Sequence, residues 1–241
     1  MSGRRRFFVD GINYPEQTEV IIDGDEFAHA SVQRIDEGSE ITLLGGSGKE
    51  YTAIVTGVSK KSFSAHIIGG EIGEREPKTE IYLLCGALKG DKTELVIQKA
   101  TELGASGVGV FSSEYCSAFM NANKLDRLNR VAREAAKQCM RSRAPEVVYF
   151  DNFKSALLSA QQYKNKLFAC EFAKSSDTDI MTISGSTALV VGSEGGFSEG
   201  EFELSKQLGF SSLTLGKRIL RAETASISLL SLVAYALGEL K

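Results

Sequence analysis

Two glycine-broken segments hold most of the side chains suited to chemistry. The first is VVGSEGGFSEGE at residues 190–201, where an apolar run ends at Gly192, Gly195 and Gly196. Glycines lack Cβ, so backbone N–H and C=O groups approach a ligand closely there. Ser198 with Glu201 three residues on matches a capping box, which starts a helix. A strand, a glycine turn and a helix N-terminus is how α/β proteins hold ligands at the carboxyl ends of strands. The spacing is not G-x-G-x-x-G, and no G-K-[ST] follows, so dinucleotide and phosphate-loop fingerprints are both absent. The loop reads either as a ligand turn or as a purely structural one.

The second segment, LTLGKRILRAETA, starts at Leu213. A strand-like run is broken by Gly216, and Lys217, Arg218, Arg221 and Glu223 follow. Such a cluster holds an anion, a carboxylate or a polarised carbonyl. It reads equally as an ordinary surface ion-pair group. A third feature is a basic helix over residues 124–143, with seven Lys/Arg against Asp126 and Glu134, a local charge of +5. At 100° per residue, Leu125, Leu128, Ala132, Ala135 and Cys139 share one face, and Arg127, Arg130, Arg133, Lys137 and Arg141 the other. The cation row suits RNA phosphates, or is a solvated helix face. Arg4, Arg5 and Arg6 form a second basic spot. His29 and His66 lie in different segments, which disfavours a histidine-rich metal site. None of Cys85, Cys116, Cys139 and Cys170 forms a C-x-x-C pair, so free thiols in a reducing compartment are expected.

The elements that must position these residues fall into two patterns. Residues 1–72 hold short β-branched and aromatic runs at 5–9, 19–22, 40–44, 51–58 and 62–68, with one short helix over 25–33. Closely spaced short strands suggest a small barrel. Residues 69–78, GGEIGEREPK, read as a linker. From 73 to 241, apolar strands at 81–85, 108–111, 147–149, 167–170, 188–191 and 213–215 alternate with helices at 91–103, 125–140, 202–208 and 224–240. That alternation predicts a mostly parallel sheet covered on both faces. The net charge of −3 argues against a protein wrapped wholesale in nucleic acid, but leaves room for a local basic patch. No run of about 18 apolar residues is present, so no membrane-spanning helix is expected. The N-terminus has no apolar signal region, so a cytoplasmic location is expected.

Together these residues resemble the RsmE family of 16S ribosomal RNA uridine-N3 methyltransferases, within the SPOUT (trefoil-knot) class. The likeness covers almost the whole chain. It rests on RRFFV at residues 5–9, on His29 to Arg34 with Gly38, and on Lys89–Gly90 with QKATELG at 98–104. Glu134, Ala135, Gln138, Arg141 and Pro145 carry a further element. VGSEGGFSEGE and LGKRILRAETA carry the most specific ones. Ser193 stands where the family usually has proline, and Gln33 where it has leucine.

The resemblance implies an N-terminal PUA-like β-barrel (1–72) that helps hold RNA. It also implies a C-terminal α/β SPOUT domain (73–241) with a deep trefoil knot, and a homodimer with its active site near the subunit interface. It implies methyl transfer from S-adenosylmethionine (SAM), without a metal, to uridine N3 of 16S rRNA within the small ribosomal subunit. Glu171, Gly192, Ser193, Glu194, Gly195, Gly196, Leu215, Gly216, Ile219 and Leu220 are the expected cofactor residues. Arg221 is expected to stabilise the uracil anion, Glu223 to orient Arg221 or accept the proton, and Arg141 to reach in from a partner subunit. Arg4, Arg5, Arg6, Arg34, Arg133 and Lys137 are the expected RNA contacts. The alternatives are a SPOUT enzyme acting on transfer RNA or on 2′-hydroxyls, and a non-catalytic RNA-binding assembly factor.

Overall fold

The computed structural model describes residues 5–32, 35–171 and 176–240. The chain forms two compact units. One comprises the described residues up to Glu76 together with Ala136–Ala144, and the other comprises Pro77–Ala135 and the described residues from Pro145 on.

The N-terminal unit is built on five strands: β1 (Arg5–Phe8), β2 (Glu19–Ile22), β3 (Glu40–Leu44), β4 (Lys49–Val58) and β5 (Phe63–Ile72). Their order is β1-β3-β4-β5-β2, with β1 parallel to β3 and the other pairs antiparallel. β4 and β5 alternate buried and more exposed residues, as period-2 strands with one covered face do. The inward set includes Phe7, Ile41, Leu43, Ala53, Val55, Phe63, Ala65 and Ile67. Register shifts between β4 and β5, at Thr52/Ala53 and Val55/Gly57, bend the sheet around this core. Helix α1 (Gly24–Val32) follows β2.

The linker expected at residues 69–78 begins later than the sequence suggests, because β5 continues through Gly69 and Gly70 to Ile72. A Cβ on Gly70 would lie 2.8 Å from the Tyr51 ring, so glycine here makes room for a cross-strand aromatic rather than ending the strand. The segment Ala136–Ala144 joins this unit through apolar contacts of Ala136 and Ala144 with Phe8 and Leu44.

The second unit is a six-stranded, wholly parallel sheet. Its strands are β6 (Ile81–Gly86), β7 (Gly107–Phe111), β8 (Glu146–Phe150), β9 (Asn165–Ala169), β10 (Thr187–Val191) and β11 (Ser211–Leu213), in the order β11-β9-β10-β6-β7-β8. The helices are α2 (Lys92–Glu102), α3 (Ala122–Gln138), α4 (Phe153–Ser159), α5 (Glu199–Gln207) and α6 (Ala222–Ala236), and the division between the two units falls inside α3.

The apolar runs of β6 and β10 are continuous because successive residues enter different cores. Leu83, Cys85, Leu189 and Val191 pack with Val96, Ile97, Leu229 and Val233 of α2 and α6. Leu84, Ala188 and Val190 face Phe153, Leu157, Phe168 and Phe197. Burying a side chain of this size is worth about 1.5–3 kcal/mol, so covering both faces holds the sheet firmly. Cys85 and Cys116 are free thiols, and burial pushes Cys85 up to about 12. Helix α4 and a 3₁₀ turn at Ile180–Thr182 were not expected from the sequence.

Candidate cofactor and methyl-transfer site

Parallel strands put all their carboxyl ends on one edge of the sheet. Register fixes this edge closely, because Leu213 of β11 and Val191 of β10 both pair with Ala169 of β9, and Val191 pairs with Cys85 of β6. At roughly 4.8 Å between strands, the ends of β10 and β11 lie about 10 Å apart with β9 between them. From β6 the chain runs outward through β7 and β8, then returns on the other side of β6 through β9 and β10. The β6/β10 boundary is thus the topological switch point, where open α/β sheets bind ligands.

Three loops emerge here. After β10, Gly192 and Ser193 are buried, and Gly196 N–H donates to Ser193 O at 3.0 Å. Gly196 sits at φ +71°, in the left-handed region glycine tolerates. After β9, the Glu171 carboxylate lies directly against Gly196, where any Cβ would collide with it. After β11, Gly216 takes φ +102°, and Thr214 Oγ1 donates to Gly216 O at 3.2 Å. Leu215 and Leu220 are half-buried, and Ile219 is 93% exposed on the same loop.

The β10 loop is held from several sides. Ser198 caps α5 by accepting from Glu201 N–H at 3.3 Å, and Glu201 Oε2 accepts from Ser198 N–H at 3.0 Å. Glu201 Oε1 also accepts from Glu114 N–H at 2.9 Å, which ties in the segment after β7. The Glu194 carboxylate accepts from Lys89 N–H at 3.2 Å and from Lys92 Nζ at 3.1 Å. Burial acts to raise the Glu194 pKa, but Lys92 and these N–H donors outweigh it and hold the carboxyl below its ordinary value. A Cβ on Gly86 would lie within 3.0 Å of the Gly192–Ser193 backbone, and one on Gly195 would strike Tyr115. Gly86, Lys92, Glu114 and Tyr115 shape the site without having been singled out for it. Their roles depend on cross-strand approach, which has no local sequence signal.

Arg221 is the N-cap residue of α6 and is exposed. Glu223 lies in the first turn, with Oε2 buried and without a hydrogen-bond partner among the described residues. Ser193 Oγ is in the same condition. The expected cofactor residues from the β9, β10 and β11 loops therefore share one sheet edge, with Arg221 and Glu223 at the start of the helix that follows.

The other expected residues are placed differently. Arg141 is 4% exposed, its guanidinium paired with Glu76 at 2.9 Å, and Glu76 Oε1 accepts from Ser142 N–H and Arg143 N–H. Lys137 is 8% exposed and pairs with Glu26 at 3.2 Å, and Arg6 pairs with Glu50 at 2.8 Å. As placed, these three cations face carboxylates of the N-terminal unit rather than solvent. Burial against long-range acidic partners overrides the even cation row expected from helical spacing. Arg5 and Arg133 are half-buried, and Arg4 and Arg34 lie outside the described residues.

A family model for the RNA methyltransferase domain matches residues 74–234, and one for the RNA methyltransferase PUA domain matches residues 22–68. Ribosomal RNA small subunit methyltransferase E of Bacillus subtilis (strain 168) is 34% identical over 229 residues, 89% of each chain. The enzyme of the same name from Mesomycoplasma hyopneumoniae (strain 232) is 36% identical over 173 residues, 70% of this chain and 76% of the relative. Among solved structures, a Legionella pneumophila methyltransferase in complex with SAM superposes with a TM-score of 0.88 at 30% identity, over 97% of this chain and 98% of that one. A ribosomal RNA small subunit methyltransferase E from Neisseria gonorrhoeae bound to SAM superposes with a TM-score of 0.86 at 28% identity, over 98% of both. With both domains matched in order and a relative this similar over nearly its full length, the chain belongs to the ribosomal RNA small subunit methyltransferase E family of RNA methyltransferases.

Proposed function

We propose that the chain transfers a methyl group from SAM to N3 of a uridine in small-subunit (16S) ribosomal RNA. The observation that carries this reading is the convergence of the β9, β10 and β11 loops at one sheet edge, beside Arg221 and Glu223. The residues present fit SAM. Gly195, Gly196 and Gly216 leave backbone open, Leu215, Ile219 and Leu220 offer apolar surface to an adenine, and buried Ser193 Oγ and Glu223 Oε2 lack partners among the described residues. When bound, SAM supplies a methyl already activated on a sulfonium, so the protein need only prepare the acceptor.

Uridine N3 is an imide nitrogen that attacks after losing its proton. The resulting negative charge spreads over O2 and O4. Arg221 stabilises that charge, aided by the positive end of the α6 dipole. Glu223, two residues along in the first turn of α6, orients Arg221 or takes the proton directly or through water. Glu171 and the backbone of residues 192–196 and 215–220 hold the cofactor. The remaining features of this reading are the trefoil knot of the SPOUT class and a homodimer, whose contact would use the exposed Leu232 and Tyr235 of α6. RNA contacts through Arg5, Arg133 and the PUA-like unit, and a cytoplasmic location, belong to it as well. No helix among the described residues is long and apolar enough to cross a membrane.

The test is to incubate purified protein with SAM and either naked 16S rRNA or small subunits lacking modifications, then analyse nucleosides by mass spectrometry. N3-methyluridine is the expected product. A 2′-O-methyl nucleoside, product only on transfer RNA, or no heat on titration with SAM would overturn the reading.

A further inference from the structure

A cavity of about 280 Å³ opens beside the cofactor loops, between the segment after β6, the start of α2, the segment after β7 and the start of α3. Lys89, Lys124 and Arg127 line it, with Glu94 as the one carboxylate, so its rim carries a net charge of +2. Phe119 also lines it and is 72% exposed, so its ring is open to a ligand. Three contacts hold Phe119, Lys124 and Arg127 in place. Lys124 Nζ donates to Phe119 O at 2.7 Å and sits 5.9 Å from the ring centroid, and Arg127 donates to Glu94 Oε2 at 2.9 Å.

This arrangement stands on the same sheet edge as the cofactor loops, because β6 is hydrogen-bonded to β10. The two regions share a fastening, since Glu194 of the β10 loop accepts from Lys89 N–H. An exposed aromatic face among cations is the combination by which single-stranded nucleic acid is held, the ring stacking on a base and the cations meeting phosphate. A small metabolite site would enclose its ligand and offer more directed polar groups than this open rim does.

We propose that this cavity takes one nucleotide of the RNA strand flanking the methylated base, its base stacked on Phe119 and its phosphate met by Lys89, Lys124 and Arg127. The inference rests on the RNA methyltransferase reading and deepens it. Phe119 and the three cations lie outside the residues assigned to cofactor or methyl transfer, so the subsite contributes RNA affinity and strand direction rather than chemistry.

The test compares the wild-type chain with Phe119→Ala, Phe119→Trp and Lys124→Ala on the same small-subunit RNA substrate. Phe119→Ala is expected to raise the KM for RNA, and its Kd in the presence of SAM, by roughly 5- to 150-fold, the range for loss of one base–aromatic stack. Phe119→Trp should restore both. Lys124→Ala should flatten the dependence of log Kd on log salt by about one unit. The affinity for SAM, read by calorimetry, and kcat at saturating RNA should stay at wild-type values. The inference is overturned if Phe119→Ala leaves KM and Kd for RNA unchanged, or if it weakens SAM binding to the same degree. If the wild-type chain methylates no RNA, the functional reading itself fails, which is a distinct result.

Discussion

Around Glu76 and Glu50 in the N-terminal unit, arginines and carboxylates face one another and little solvent reaches them. Arg141 is 4% exposed and Arg6 8% exposed; Glu76 accepts from Arg141, Ser142 and Arg143, and Glu50 from Arg6 and Ser142. At the start of α6 the same two residue types are arranged otherwise: Arg221 is exposed, while Glu223 has a buried oxygen without a partner among the described residues. A buried, matched pair has most of its hydrogen-bonding capacity committed to the fold: Arg6 directs both terminal nitrogens to Glu50 and the Arg141 carbonyl, and only its Nε lacks a partner among the described residues. An exposed cation beside an incompletely satisfied carboxylate keeps capacity for a ligand. Residue type and spacing do not separate the two cases. Burial and partner identity do.

The comparison breaks most readily at Glu76. Glu76→Ala leaves the Arg141 guanidinium buried without its carboxylate, and removing one member of such a pair costs about 3–5 kcal/mol. Urea denaturation should show that loss, and Glu76→Gln, which keeps the acceptor geometry, a smaller one. A change within 0.5 kcal/mol, the ordinary range for surface substitutions, would mean the pair is no more than a surface contact. Arg221→Ala should do the reverse. Its urea midpoint should stay near wild type and its SAM affinity should persist, while kcat falls about 10²–10³-fold, the usual cost of one oxyanion donor. Loss of stability comparable to that of Glu76→Ala would erase the distinction between the two regions, and unchanged turnover would remove Arg221 from the mechanism.

Much of this arrangement was legible in the sequence because it is locally encoded. The strands of both units, the glycine turn after β10 and the Ser198–Glu201 capping box each announce themselves within a few residues. The convergence of two glycine loops was readable as a possibility, and strand order makes it geometry. What escaped was non-local. Lys137 and Arg141 sit at helical spacing with Arg127, Arg130 and Arg133, yet their acidic partners lie 111 and 65 residues away in the chain. Gly69 and Gly70 looked like a linker because Tyr51, which packs on Gly70, belongs to a different strand. Helix α4 was missed because it has only seven residues, too few to establish a helical period, even though Asn152 caps it. Phe119 and Lys124 become a candidate site only when β6 and β7 bring their following segments together.

The smallest expected effect follows from Glu50. Burial acts to raise its pKa, but hydrogen bonds from Arg6 and Ser142 and the charge of Arg6 together prevail and hold it below the ordinary 4.5. A carboxyl depressed in the folded state adds stability that is fully present above its unfolded value and lost as pH falls through its folded one. The contribution is therefore intact at pH 7 and disappears below about 4.5. Other carboxylates titrate in that range too, so the wild-type curve alone cannot isolate this one. Glu50→Gln removes the ionisation and keeps an acceptor facing Arg6. Its urea midpoint should lie below that of the wild type at pH 7, and the gap should narrow as the pH drops from 4.5 to 3.5. A gap that stays constant across this range would show that Glu50 stabilises the unit through packing and neutral hydrogen bonds, and the charge-matched description of that region would have to be given up.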